Sequence, residues 1–232
     1  YINLKNLCFY VTFDIIIGRE DKDKLEIGSK ASIFLGKHYV QMGNVVSLSN
    51  RILMDVSKPH VVLVAGKRGS GKSHSLGVIS EEMAKLPDYI AQNLSIIIFD
   101  TMGIFWTSKY ENTQEEELLK KWGLKPDPLK VTIFTPHGFF KEYKENGIPV
   151  DVPFTITTSD LEVSDWCSIF DISQISDIGL LIDKVISKIN KENYPYSIDD
   201  IIHEIRNQKD FKKDTINATE SRFNSAKSWG VF

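Results

Sequence analysis

The chain has 232 residues, a formal net charge of −3, and 42% hydrophobic against 25% charged residues. That length suits one large domain, or one large and one small. The balance is that of an ordinary globular protein and supplies no global basic field for nucleic acid, which leaves only a local basic channel open.

Residues 8–17, 30–36 and 38–48 are rich in β-branched and aromatic side chains, broken by glycine and by the charged turn 18–24. They predict a small, mostly antiparallel β module over residues 1–50, barrel-like in form. Residues 8–17 are apolar but contain Asp14, and no small-residue cleavage site follows, so no signal peptide is expected there. No apolar run reaches transmembrane length, and no membrane partner is expected. Cys8 and Cys167 form no C-x-x-C pair and have no histidine at metal spacing, which argues against zinc and suits a reducing cytoplasm. Residues 50–59 read as a short helix or linker, giving a linker at 51–60 and a main domain over 61–232.

From Val61 the pattern alternates between strand and helix, the signature of a parallel central sheet with crossover helices. The predicted strands are 61–65, 95–99, 130–135 and 153–157. A helix is predicted over 113–122, with Thr113 as cap and Lys125 to Pro128 as a stop. Residues 137–149 read as a surface excursion whose Phe139, Phe140 and Tyr143 cover the core. Later, Ile178, Leu181, Ile182, Val185 and Ile189 mark an amphipathic helix. Ser197 caps another that reaches about Gln208, and a last helix runs from about Ile216 to Trp229 with Gly230 as its stop.

The chemistry concentrates at Gly66-Lys67-Arg68-Gly69-Ser70-Gly71-Lys72-Ser73, which fits G-x-x-x-x-G-K-[ST] between the apolar run Val61 to Val64 and a helical pattern at Leu76, Ile79, Met83 and Leu86. Phosphate oxygens need donors that approach without side chains in the way. Gly66, Gly69 and Gly71 let the backbone curl with its N–H groups inward. The helix that follows adds its free N–H groups and the positive end of its dipole. Lys72 is placed to meet the β- and γ-phosphates of ATP, and the Ser73 hydroxyl to ligate Mg²⁺. His74 adjoins the loop, where its backbone N–H can touch the α-phosphate. Lys67 and Arg68 are read either as phosphate or neighbour contacts or as solvated charges.

A second constellation is the run 95–106, which ends its strand at Asp100. A carboxylate there faces the ligand crevice beside the loop strand. It can hold the Mg²⁺ water shell or orient an attacking water; the competing reading is that it caps the following turn. Thr101 follows it, so no polarising glutamate stands at that position. Asp100-Thr101-Met102-Gly103 also spells D-x-x-G, but the guanine-reading N-K-x-D is missing; Asn190-Lys191-Glu192-Asn193 fails at its last position.

Residues 66–82, 99–106, 133–138 and 222–232 together resemble the HerA-type ATPases of the HerA–FtsK superfamily, with their RecA-like motor core. The resemblance implies a RecA-like P-loop core preceded by a β-barrel, ring-forming and usually hexameric, that drives movement on double-stranded DNA beside a nuclease. Only the loop and, less directly, Asp100 carry roles over. In that family an Asp-Glu strand, a glutamine sensor and an arginine reaching the neighbouring subunit lie beyond the final matched element. Between Ser159 and Phe232 no hydrophobic run ends in Asp-Glu. The expectation is therefore the amino-terminal part of a longer ATPase. Two rivals remain: a stand-alone P-loop phosphotransferase or GTPase, and a nucleotide-binding scaffold without turnover. His38, His60, His137 and His203 are read as surface or turn residues, Arg222 as a helix-surface ion-pair partner, and Trp106, Trp166 and Trp229 as packing residues.

Overall fold

A stretch with β-branched and aromatic residues builds a long hairpin near the start of the chain. In the computed structural model, which describes residues 13–191 and 195–232, β2 (Ser32–Met42) and β3 (Val45–Asp55) pair antiparallel. Gly43 supplies the positive φ (60°) wanted at the first position of their two-residue turn. Register shifts between Phe34 and Gly36, and between Lys37 and Tyr39, bend the hairpin. A short strand, β1 (Ile15–Ile17), lies parallel to β3 with Ile15 opposite Ile52, and α1 (Asp21–Ile27) connects β1 to the hairpin. The result is an open three-stranded sheet of order β1-β3-β2 with Ile33 and Leu53 buried. No closed barrel forms among the described residues; residues 8–12 of the first expected strand lie outside them. The segment from residue 50 continues β3 as far as Asp55, where a helix or linker was expected.

The described chain divides into two compact units, Tyr1–Val131 and Thr132–Phe232. In the first, α2 (Lys72–Ala84) packs against β2. After it come α3 (Asp88–Ala91), a 3-10 turn (Phe105–Lys109) and α4 (Glu116–Lys121). The helix expected over 113–122 is thus present but shorter. Trp122, at its end, packs its ring on Phe34 and receives the Lys37 ammonium over its face.

The expected parallel central sheet is corrected here. Segments 61–65 and 95–99 carry no ladder among the described residues, and Val61, Leu63, Ile97 and Phe99 are exposed. Their apolar sequence makes them fit to be buried, but a strand exists only where a second backbone takes up its N–H and C=O groups.

The two later strands do pair. In the second unit β4 (Phe134–Pro136) lies parallel to β5 (Val152–Phe154), with α5 (His137–Glu145) as the crossover where a surface excursion was expected. Four helices follow: α6 (Val163–Ile169), α7 (Asp177–Asn190), α8 (Ile198–Arg206) and α9 (Lys213–Lys227). Trp166, Leu181, Ile182, Val185, Ile186, Ile201, Ile205 and Phe223 form their core. Ser176 and Ser197 cap α7 and α8, each accepting an N–H three residues on. Ion pairs Lys188–Glu204 (2.7 Å) and Lys227–Asp199 (2.6 Å) tie helix to helix at the surface. Gly138 and Gly230 meet backbone to backbone: Gly138 N–H donates to Gly230 O at 2.8 Å, and a Cβ on Gly138 would lie 2.7 Å from Gly230 Cα. Ile156 N–H donates to Val231 O at 2.6 Å, so segments distant in sequence, 133–138 and 222–232, close on one another.

Candidate functional site

Glycine at three points gives the loop 66–73 its shape. Gly69 (φ 78°) and Gly71 (φ 87°) hold left-handed conformations that cost an L-residue about 1–2 kcal/mol each. At Gly66 the constraint is space, since a Cβ there would lie 2.4 Å from Ser70 Oγ. Ser70 N–H donates to Lys67 O at 3.2 Å, closing the turn. Gly71 then opens α2, its carbonyl accepting Ser75 N–H at 2.9 Å.

The first N–H groups of α2 have no partner within the helix by construction, and they gather positive potential at its start. Lys72 turns back into the curl: its Nζ donates to Gly66 O at 3.0 Å and Lys67 O at 2.9 Å. The ammonium is thereby held on the loop's own carbonyls, in exposed hydrogen bonds. Arg68, Ser73 and His74 are exposed. The residues of the loop and of the first turn therefore stand together, as their contiguity requires, in a conformation suited to cradling an anion.

Asp100 does something more local. Its two carboxylate oxygens accept Met102 N–H at 3.3 Å and Phe105 N–H at 2.7 Å, which pins the turn leading into the 3-10 segment. This is the turn-capping geometry. No hydrogen bond joins Asp100 to Ser73 or Lys72 among the described residues. A carboxylate offers about four lone-pair sites, so two directions remain for another donor or a cation. Among the described residues no group of three or more His, Cys, Asp or Glu side chains is placed to hold a metal. Mg²⁺ in nucleotide sites takes only one or two protein ligands beside phosphate and water. One exposed hydroxyl at Ser73, at the end of the loop, fits that requirement.

Beside the first turn of α2 opens a crevice of about 1030 Å³. One wall is a stripe of α2: Ser73, His74, Gly77, Val78, Glu81 and Lys85. Trp106 and Tyr110, in edge-to-face contact at 6.2 Å between centroids, are also in the lining, as are Phe34 and Trp122. The Trp106 Nε1–H donates to Gly103 O at 2.8 Å, so the turn capped by Asp100 also fixes this indole.

Sequence reasoning missed a polar node just ahead of the loop. Arg19, with its side chain wholly buried, donates to Gly28 O (2.6 Å), Ala31 O (2.9 Å) and Asp55, whose carboxylate is also buried. Asp55 further accepts Ser57 N–H (3.1 Å) and Ser57 O–H (2.7 Å), and His60 Nε2 lies 3.0 Å from its second oxygen. Burial pushes the Asp55 carboxyl up, but the hydrogen bonds from Arg19, His60 and Ser57 outweigh it and hold the group well below the usual carboxylate range. His60 is exposed, as a surface residue was expected to be, and also serves as a partner of this buried carboxylate. Arg19 in a short charged stretch gave no sign that it would be the buried member.

The loop, its glycine conformations and the helix it opens have the form of a P-loop. The chain belongs to the family described as Helicase HerA, central domain, whose model matches residues 40–229. No curated protein and no solved structure matches it. Among the described residues no helix is long and apolar enough to cross a membrane.

Proposed function

We propose that this chain is the ATP-binding subunit of a HerA-like motor that moves on double-stranded DNA. The observation that carries the reading is the loop 66–73, curled around Lys72 at the start of α2, in a chain of the HerA central-domain family. In this reading the backbone N–H groups of residues 69–73 bind the phosphates. Lys72 exchanges its two loop carbonyls for β- and γ-phosphate oxygens, and its charge stabilises the negative charge that builds up as water attacks the γ-phosphorus in line. Ser73 contributes a ligand to Mg²⁺, which supplies further charge neutralisation when bound. Asp100 orients water or the metal's water shell with the two lone-pair directions its turn leaves over, and His74 N–H meets the α-phosphate.

The family also supports a homo-oligomeric ring, hexameric in this proposal, acting in the cytoplasm in DNA-end processing with a nuclease partner. Such rings place an arginine from one subunit at the nucleotide of the next, and loss of such a charge costs about three to five orders of magnitude in rate. Turnover is therefore to be measured at high protein concentration, where assembly is favoured. The test is steady-state phosphate release with and without duplex DNA, for the parent and for Lys72→Ala. Residues 1–232 alone are expected to bind nucleotide and release phosphate very slowly, with little response to duplex DNA; a version carrying the family's Asp-Glu strand is expected to show release that duplex DNA accelerates and that Lys72→Ala abolishes. DNA-independent transfer to a small acceptor would instead establish a phosphotransferase. Nucleotide binding without any release by the version that carries the Asp-Glu strand would establish a scaffold.

A further inference from the structure

The crevice beside α2 is unlike the loop in chemistry yet continuous with it. It begins at Ser73 and His74, in the turn that follows the phosphate cradle, and runs along one face of the helix as far as Lys85. At about 1.5 Å of rise per residue that stripe is about 18 Å long, room for far more than a phosphate group. We propose that the His74 end of this crevice receives the purine nucleoside half of the nucleoside triphosphate, stacked on Trp106. This rests on the reading of loop 66–73 as the site of the phosphates.

Three observations favour that occupant. The first is the aromatic wall. The Trp106 indole is pinned through Nε1 to Gly103 O, and Tyr110 meets it edge to face. An indole already fixed loses little freedom when a flat base stacks on it, and stacking is strongest for the large faces of purines. The second is Gly77. It sits in the interior of α2, where glycine weakens a helix relative to alanine. A Cβ built on it meets nothing within 4 Å, so packing within the described chain does not demand a glycine. What its missing side chain leaves open is the crevice, one helical turn beyond His74. The third is charge. Glu81, Glu82, Glu111, Glu115 and Asp127 line the crevice against Lys85, itself paired with Glu81 at 3.4 Å, and Lys125. A lining with more acids than lysines repels a triphosphate and accepts the N–H groups on a purine edge. It therefore fixes which end of the nucleotide goes where: phosphates to the loop, base to the crevice.

The test is calorimetric titration of Mg·ATP and of Mg·tripolyphosphate, which has the phosphates and no nucleoside, into the parent chain and four variants. Gly77→Leu keeps a good helix former and fills the crevice, and Trp106→Leu removes the stacking face. Each is expected to weaken ATP about tenfold while leaving tripolyphosphate unchanged, and Trp106→Phe is expected to retain most of the ATP affinity. The tripolyphosphate titration also shows that each variant keeps a folded loop. Lys72→Ala is expected to weaken both ligands together. Equal ATP affinity in the parent, Gly77→Leu and Trp106→Leu would overturn the crevice assignment and leave the loop reading standing. Unchanged binding of both ligands by Lys72→Ala, or failure of the parent to bind either, would overturn the loop reading and this inference with it.

Discussion

Asp55 is the residue on which most of the first unit's buried polar chemistry converges, and it shows how a single side chain sets stability. It neutralises Arg19, which is buried and donates to two backbone carbonyls as well. Removing one partner of such a pair leaves the other charge uncompensated, at a cost of about 3–5 kcal/mol. Asp55→Ala and Arg19→Met are each expected to destabilise by that order in urea unfolding, the first because it strands a buried cation and the second because it strands a buried carboxylate. The pH dependence follows from the lowered pKa of its carboxyl. Unfolded, Asp55 titrates near the ordinary aspartate value of about 3.9; folded, it titrates below that. Its contribution is therefore fully present above about pH 4 and is lost as the pH falls further. Stability of the parent is expected to drop steeply between about pH 4 and pH 2, and that of Asp55→Asn to drop less steeply over the same window, as read from urea midpoints. None of this node could be read from the sequence, because Arg19, Asp55 and His60 are brought together by strand pairing and a turn. The loop residues could be read, because their geometry is local: glycines that take positive φ and a lysine one residue into the helix are all within eight positions.

At the scale of elements the same distinction holds. The helices α7 and α8 lie where their periodicity and capping serines place them, since Leu181, Ile182, Val185 and Ile189 are buried as the spacing predicts. Ser197 accepts Asp200 N–H while Asp200 accepts Ser197 N–H, the reciprocal cap expected from sequence. Ser197→Ala is expected to cost about 1 kcal/mol in thermal unfolding of the second unit, against about 3–5 kcal/mol for Phe223→Ala in the core of the same unit. A mutant pair without that ordering would contradict the packing described. Strands fared differently. The apolar runs at 61–65 and 95–99 announce surface fit for burial, and yet pairing is a property of two segments and of neither one alone. Where the partner is close and the turn is tight, as in β2 and β3, the β character of residues 30–48 was legible, but the turn was not, since Gly43 and Asn44 lie inside the run 38–48. The β3 extension through Asn50 was hidden by Arg51 and Asp55, whose charges suggested a linker but are answered by Asp14 and Arg19.

Across the whole molecule, residues 133–138 and 222–232, two of the segments on which the family likeness rested, come into backbone contact through Gly138 and Gly230. Membership of the HerA central-domain family was legible because such motifs keep their residue types even where pairing is invisible. The barrel-like module was not recovered, the described hairpin being an open sheet. The Asp100 carboxylate, read as a metal or water ligand, spends half its capacity on the turn that positions Trp106. The account as a whole turns on whether the loop around Lys72 takes the phosphates of a nucleotide. The direct measurement is calorimetric titration of Mg·ATP into the full chain and into Lys72→Ala. Saturable binding at one site per chain, weakened at least tenfold by Lys72→Ala with the circular dichroism spectrum unchanged, is the predicted result. Equal affinity in the two proteins, or no binding by the parent, would contradict it.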